Sequence, residues 1–209
     1  MKGANRNNKT YTYLAIGDSY TIGEQVNSRD NFPNQAVSLL KQKDIDMAGP
    51  VIIARTGWTT DELAEAIANA KLHPPYDFVT LLIGVNNQYR GRPVNDYITE
   101  FESLLKQAIR FAGNDTGHVI VLSIPDWGVT PFAEGRDRQQ IAAEVDAYNA
   151  ANKQVADVYK VHYIDITPGT RQAAKDTLLL TTDGLHPSGK EYRRWAEQVA
   201  AIIEKKTSF

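Results

Sequence analysis

The sequence has 209 residues, of which 42% are hydrophobic and 23% charged, a balance typical of one globular domain with a full core. The formal net charge of −2 argues against a nucleic-acid partner, and no apolar run approaches the ~20 residues that span a bilayer. The absence of cysteine excludes disulfides, thiolate metal sites and cysteine nucleophiles.

The first ten residues are polar, and they predict a flexible segment over 1–10 followed by a single domain over 11–209. This segment lacks the apolar region of roughly 7–15 residues that a secretory signal requires. The sequence as written favours a cytoplasmic protein, but a protein whose signal had been removed would look the same. Localisation therefore stays open, and the sequence does not predict an oligomeric state.

Short apolar runs alternate along the chain with segments of helical periodicity. This alternation predicts an α/β fold, with a five-stranded parallel sheet and helices on both of its faces. The predicted strands are 11–16, 51–54, 78–83, 118–124 and 161–166. The predicted helices are 29–43, one that begins at Thr59 or Thr60 and is ended by His73-Pro74-Pro75, 94–111, 139–159 and 187–205.

The stretch 125–138 is the longest without clear periodicity, and a loop of this length in a compact domain is usually functional or mobile. Two interpretations remain open. Trp127 and Phe132 would suit a mobile lid over an apolar groove, as a lipase needs. The charged residues Asp126, Glu134 and Arg136 to Arg138 would make the loop a poor lipid surface.

Three predicted strands are each followed by a residue suited to acyl-transfer chemistry. Ser19 follows the first strand, Gly57 the second and Asn86 the third. Carboxyl ends of parallel strands meet at one edge of a sheet, where ligands bind in open α/β folds. Taken singly, the serine would be read as a helix cap, the glycine as a turn and the asparagine as an Asx-turn residue.

A fourth contribution comes from Asp183 and His186, which stand three residues apart in a predicted turn. The carboxylate can take the proton of Nδ1 and leave Nε2 facing a serine. Pro187 biases His186 away from helical geometry and suits the first turn of the last helix. The alternative is that Asp183 only caps that helix. The remaining histidines do not have a metal-ligand spacing, so no metal site is expected.

These four motifs together resemble the four sequence blocks of the SGNH, or GDSL-type, hydrolases. The resemblance implies a flavodoxin-like three-layer α/β/α domain that hydrolyses esters without a cofactor. It also implies that Ser19 is the nucleophile, His186 the general base and Asp183 its orienting partner. The implied oxyanion donors are the backbone N–H groups of Ser19 and Gly57 and the side-chain amide of Asn86. The motifs are Gly17-Asp18-Ser19-Tyr20, Gly57, Gly84-Val85-Asn86-Asn87 and Asp183-Gly184-Leu185-His186.

The chain departs from the family pattern at two positions, where Tyr20 replaces the usual leucine and Asn87 stands where an aspartate often follows the asparagine. Tyr20, Trp58 and Tyr89 are predicted to bind substrate, because three rings at one strand edge would crowd out long acyl chains. The expected partner is therefore a small-molecule ester, with a short acyl group or an acetylated carbohydrate as the substrate.

Two alternatives on the same fold remain. One is a lipase or thioesterase acting on longer acyl chains, and the other is a non-catalytic module that binds a sugar or lipid, which loss of a triad residue would indicate. A nucleotide- or flavin-binding function would require a glycine-rich phosphate loop, and the sequence contains neither common form.

Overall fold

A computed structural model describes residues 9–207 of the chain. Five parallel strands form one sheet in the order β2-β1-β3-β4-β5. The strands are β1 (Tyr13–Asp18), β2 (Val51–Arg55), β3 (Phe78–Leu82), β4 (Val119–Leu122) and β5 (His162–Ile164). This arrangement confirms the predicted α/β fold with a five-stranded parallel sheet. Most of the predicted flexible segment, residues 1–8, lies outside the described residues.

Helices connect the strands, as parallel pairing requires. The longer ones are α2 (Phe32–Lys41), α3 (Thr60–Asn69), α5 (Val94–Phe111), α6 (Arg138–Tyr159) and α8 (Gly189–Thr207). Three short helices, α1 (Ser19–Ile22), α4 (Val85–Tyr89) and α7 (Thr167–Thr170), follow β1, β3 and β5.

The sheet is covered on both faces. Every residue of β1, β3 and β4 is buried, whereas the edge strands β2 and β5 are only partly so. Helix α2 packs on α8, and α5 packs on both α3 and α6, so the helices form two groups. Near-continuous burial of the central strands is what a sheet between two helical layers requires.

The strand order places a crevice beside the end of β1. After β1 the chain passes to β2 on one side, and after β2 it crosses back to β3 on the other. Such a reversal opens a crevice at the carboxyl ends of the strands, where open α/β folds bind their ligands. Ser19 follows β1 at this point, and Gly84 and α4 follow β3.

Several predicted boundaries differ from the structure. Helix α3 ends at Asn69 rather than at the His73-Pro74-Pro75 stretch, because Ala70 already has extended backbone (φ −77°, ψ 143°). Strand β5 contains only His162–Ile164 of the predicted 161–166. Helix α8 begins at Gly189, two residues after the predicted start.

Candidate active site

Ser19 is the first residue of α1 and is held directly after the end of β1. Asp18, not Ser19, is the N-cap of this helix, and its Oδ1 accepts a hydrogen bond of 3.0 Å from the N–H of Tyr20. The alternative interpretation of Ser19 as a helix cap is therefore not met. Its hydroxyl is left for another role, and its side chain lines a cavity at the sheet edge.

The tight turn from β1 into α1 depends on Gly17. A Cβ at this position would lie 2.2 Å from the Thr21 hydroxyl and 2.3 Å from the Leu82 carbonyl oxygen, far inside van der Waals contact. Only a glycine lets α1 fold back this closely between β1 and β3. The first motif therefore places Ser19 through a backbone constraint two residues before it.

Asp183 and His186 lie in one turn between Leu180 and Pro187. Asp183 Oδ2 is 2.6 Å from His186 Nδ1, and Asp183 Oδ1 accepts from the backbone N–H groups of Leu185 (2.9 Å) and His186 (3.0 Å). The bond to Nδ1 leaves Nε2 as the ring nitrogen that can accept a proton. Because α8 begins only at Gly189, Asp183 does not cap that helix.

Hydrogen bonding keeps the Asp183 carboxylate ionised. Burial alone would raise its pKa, but the hydrogen bonds from His186, the Thr181 hydroxyl and two backbone N–H groups outweigh burial and lower the pKa to about 2. A permanently charged carboxylate fixes the imidazole tautomer and stabilises the imidazolium that forms when the ring takes a proton.

Tyr20 packs against the His186 imidazole. Its ring is buried, and its centroid lies 5.1 Å from that of His186 with the planes tilted by 47°. The residue that departs from the family pattern therefore packs directly against the predicted base. It also lines the same cavity, consistent with the predicted contact to substrate.

Gly57 lies just after β2 with φ of +84°, a conformation that other residues rarely adopt. Its carbonyl oxygen accepts a 2.6 Å hydrogen bond from Arg90 Nη2, while Arg90 Nη1 lies 3.3 Å from Glu62. Arg90 therefore ties the loop after β2 to the end of α4. This arginine belongs to no motif, so no pattern in the sequence points to it.

Asn86 is the second residue of α4 and points its amide back toward β1. Its Nδ2 donates to the Trp58 carbonyl oxygen at 3.0 Å and lies 3.4 Å from Asp18 Oδ2. Both neighbours are acceptors, so the NH2 end of the amide must face them. The contact with Asp18 is longer and therefore weaker than the one with Trp58. The N–H that points to Asp18 can therefore also bind a substrate oxygen more readily than the other one can.

Asp18 is fully buried beside Ser19. Desolvation raises its pKa to about 7, against smaller opposing effects from the backbone N–H groups of Tyr20 and Asp18 itself and from the Asn86 amide. A buried carboxyl group with a strongly shifted pKa is typical of a functional site. Its charge therefore changes near neutral pH, one residue from Ser19.

Four of the residues predicted to act in catalysis line one cavity of about 150 Å³, namely Ser19, Gly57, Asn86 and His186. Asp183 stands behind His186, on the imidazole nitrogen away from Nε2. The other lining residues are mostly apolar or aromatic, namely Tyr20, Val85, Tyr89, Trp127, Phe132 and Leu185, together with Thr56. Of the predicted substrate-binding residues, Tyr20 and Tyr89 thus face the cavity.

The predicted contact of Trp58 with substrate stays a prediction. Its side chain is partly buried and packs against the hydrophobic core, and it is not among the residues that line the cavity. The chain turns at Gly57, and the backbone carbonyl of Trp58 accepts a hydrogen bond from the Asn86 amide. Trp127 and Phe132, from the segment 125–138, provide aromatic walls in its place.

The segment 125–138 is held in place by many contacts and contains two short 3₁₀ helices. Arg138 donates to the Gly128 and Thr130 carbonyl oxygens at 2.6 and 3.1 Å. The Phe132 N–H donates to the Gly184 carbonyl oxygen at 3.1 Å, which links this segment to the turn that contains Asp183 and His186. These anchors disfavour the interpretation of the whole segment as a mobile lid.

A buried ion pair adds to this anchoring. Asp126 is fully buried, and its Oδ2 is 2.8 Å from Arg171 Nε. Arg171 Nη2 also reaches Asp146 on α6 at 2.7 Å. The loop after β4, the segment after β5 and helix α6 are therefore connected through one guanidinium group.

Within residues 9–207, no group of three or more histidine, aspartate or glutamate side chains is placed to hold a metal ion. The same part of the chain contains no helix that is both long and apolar enough to cross a membrane.

The model of a family described as GDSL-like lipase/acylhydrolase matches residues 15–194. No curated protein matches the sequence significantly.

Among solved structures, a lipase/acylhydrolase from Enterococcus faecalis is 19% identical, with a TM-score of 0.70, covering 94% of this chain and 97% of that one. An acetylxylan esterase from Geobacillus stearothermophilus is 18% identical, with a TM-score of 0.68 and coverage of 95% and 94%. A psychrotrophic esterase from Pseudoalteromonas sp. is 16% identical, with a TM-score of 0.67 and coverage of 95% and 99%. At these identities the likeness concerns the fold.

Proposed function

We propose that this chain, which belongs to the GDSL-like lipase/acylhydrolase family and is a carboxylic ester hydrolase, uses a Ser19–His186–Asp183 triad on small acyl esters. The observation that carries the proposal is the 2.6 Å contact between Asp183 Oδ2 and His186 Nδ1. This contact orients an imidazole that lines the same cavity as Ser19.

In the proposed first step, Nε2 of His186 takes the hydroxyl proton of Ser19 as Oγ attacks the ester carbonyl carbon. The N–H groups of Ser19 and Gly57 and the amide of Asn86 stabilise the resulting oxyanion. The imidazolium then gives its proton to the departing alcohol oxygen, which leaves an acyl group on Ser19. Water, deprotonated by the same histidine, releases the acid and restores the serine.

The proposed acyl group is short, from acetyl to roughly butyryl. The catalytic cavity of about 150 Å³ is smaller than the ~300–1,000 Å³ of sites that enclose drug-sized ligands. Aromatic rings form much of its wall, and each one occupies space that a long chain would need. The structural neighbour from Geobacillus stearothermophilus is an acetylxylan esterase, which agrees with an acetylated carbohydrate as substrate.

The nucleophile is tested by covalent labelling with a fluorophosphonate probe. We expect the wild-type protein to be labelled and Ser19→Ala to lose labelling. Ser103→Ala, which changes an exposed serine on α5, provides the matched control and should be labelled like the wild type. Labelling of Ser19→Ala at the wild-type rate would show that the nucleophile is elsewhere, and would favour a binding module with an incidental reactive group.

The acyl preference is tested by kcat/KM along p-nitrophenyl esters from acetate to decanoate. We expect a maximum at acetate to butyrate and a steep fall beyond it. A continued rise through octanoate would instead support the alternative of a lipase or thioesterase, with Tyr89 and Phe132, which are 41% and 43% exposed, serving as an entrance for long chains.

A further inference from the structure

A second groove lies next to the catalytic cavity and shares two of its walls. Its volume is about 230 Å³, and Tyr89 and Trp127 line both spaces. It runs along the start of α6, where Arg136, Gln140 and Glu144 contribute to its lining. A space of this volume, open on one side, suits one ring-sized group rather than a whole drug-sized molecule.

The wall between the two spaces is aromatic and carries a guanidinium group. The Arg136 Cζ lies 5.3 Å from the ring centroid of Tyr89 and 5.8 Å from that of Trp127. Arg136 Nη2 also donates to the Tyr89 hydroxyl at 3.3 Å. Within residues 9–207, no carboxylate forms an ion pair with this arginine, which is exposed and contributes to the lining of the groove.

The other side of the groove is a chain of amide and carboxylate groups. Gln88 is buried, and its Nε2 donates to Glu144 Oε2 at 2.7 Å, while Gln140 Nε2 donates to Glu144 Oε1 at 2.8 Å. Gln88 Oε1 accepts from the Trp127 indole N–H at 2.7 Å. This network fixes the edge of the Trp127 ring and presents donors and acceptors together.

We propose that this groove binds a neutral glycosyl unit in the alcohol part of the ester, adjacent to the sugar whose acyl group is removed at Ser19. The proposal rests on the proposed esterase function. A sugar ring combines an apolar face with a rim of hydroxyls that both donate and accept, and the groove offers aromatic surface beside Arg136, Gln140 and Glu144.

Two other occupants fit the groove less well. A long acyl chain would bury methylene groups against the charged and amide groups of Arg136, Gln140 and Glu144, which would lose their contacts with water. An anionic group would be attracted by Arg136 but repelled by the carboxylates of Asp137 and Glu144, which line the same groove. Mixed charge at close range therefore favours a neutral, polyhydroxylated ligand.

The experiment compares hydrolysis of a monoacetylated methyl xyloside with that of monoacetylated xylobiose and xylotriose. We expect kcat/KM to rise about tenfold when the second ring is added, mainly through a lower KM. In Arg136→Ala and in Gln140→Ala, this ratio of disaccharide to monosaccharide should fall by threefold or more. Arg110→Ala, which changes an exposed arginine at the far end of α5, is the matched control and should keep the wild-type ratio.

Two results would overturn the proposal while leaving the esterase assignment intact. One is equal kcat/KM for the one-, two- and three-ring substrates. The other is a tenfold preference for an acetylated oligosaccharide that carries a uronic acid over its neutral counterpart, which would assign the groove to an anion. Failure of the proposed function would look different, because neither p-nitrophenyl acetate nor any acetylated sugar would be hydrolysed through Ser19.

Discussion

The Asp183 carboxylate receives hydrogen bonds from the His186 imidazole, two backbone N–H groups and the Thr181 hydroxyl, so it both shapes the turn and orients the imidazole that we propose as the base. Asp183→Asn keeps the shape but presents an NH2 group or a neutral oxygen to Nδ1. We expect kcat to fall, by up to ~10⁴ where such an aspartate is essential. Thr181→Val, which removes one hydroxyl donor at 2.7 Å, should cost far less.

A melting curve distinguishes the two roles of Asp183. If Asp183→Asn lowered only the melting temperature and left kcat intact, the residue would be a turn-forming group and not part of a triad. Because its pKa is held at about 2, the wild-type carboxylate stays ionised at ordinary assay pH, and any loss of activity between pH 5 and pH 7 must come from another group.

Asn86 and Asn87 are adjacent asparagines with different surroundings, which makes them a natural pair for comparison. Asn86 lines the cavity, whereas Asn87 is fully buried and binds Thr60, with its Oδ1 accepting from the backbone N–H at 3.1 Å and its Nδ2 donating to the hydroxyl at 2.6 Å. We expect Asn86→Ala to lose about 10² to 10³ in kcat with little change in KM. Asn86→Asp should be worse, since its charge would repel the oxyanion.

Asn87→Ala should instead lower the melting temperature, because it leaves the start of α3 without its partner, and should change kcat by only a few-fold. Steady-state kinetics and thermal unfolding on both variants check this. An effect of Asn86→Ala on KM alone would assign the amide to substrate positioning and not to the oxyanion.

Asp18 predicts a pH-dependent stability. Its pKa in the folded protein is about 7, well above the ordinary 3.8 of an unfolded chain, so the folded state holds the proton more tightly. The free energy of unfolding therefore decreases as pH rises from about 4 to about 7, and above pH 7 this loss of stability is complete and constant. Asp18→Asn removes this charge. The melting temperature of the variant minus that of the wild type should therefore be larger at pH 8 than at pH 5.

The same substitution should lower kcat by at least tenfold, because an amide NH2 at the Oδ2 position would face the Asn86 NH2 at about the present 3.4 Å. Kinetics and unfolding at both pH values are the measurement. A melting-temperature difference that did not change between pH 5 and pH 8 would contradict the assigned titration of Asp18.

Among the connecting elements, the segment 125–138 is joined to the segment after β5 by the side chain of Arg171. Within residues 9–207, Arg171→Met would leave the fully buried Asp126 carboxylate with only the Gly128 N–H as a partner. We expect a cost of about 3 kcal/mol, at the low end for a buried pair because the Arg171 side chain is 35% exposed. For a domain of this size we expect the melting temperature to fall by roughly 10 °C. Asp146→Asn breaks only the exposed half of the pair, where the carboxylate is 59% exposed, and should cost under ~1 kcal/mol.

Elements with strong periodicity were predicted well, and those set by local backbone geometry were not. Helix α5 begins and ends where its apolar spacing predicted, at Val94 and Phe111. Helix α4 was missed, because five residues opened by Gly84 at a φ of 131° carry no repeat to read. The side-chain packing of Trp58 against the core could not be predicted for a related reason, since it depends on the turn at Gly57 and not on residue type.

For the molecule as a whole, the parallel five-stranded sheet followed from the alternation of apolar runs and amphipathic segments, since parallel pairing requires crossovers. Because the carboxyl ends of parallel strands meet at one edge of the sheet, the sequence also predicts that Ser19, Gly57 and Asn86 lie close together, and all three line one cavity. The roles of Gln88, Arg90 and Arg136 were not predictable. Each side chain contacts a residue that is far away in the sequence, and no pattern of residue spacing predicts such a contact.

The order of the chain also divides the proposed chemistry between two separable pieces. The exposed turn at Gly113 and Asn114, between α5 and β4, leaves Ser19, Gly57 and Asn86 on one side and Asp183 and His186 on the other. Two fragments expressed separately should each be inert toward p-nitrophenyl acetate. Turnover should return only when β4 pairs again with β3 and α8 packs again on α2, so that a colour reaction reports the reunion of the two fragments.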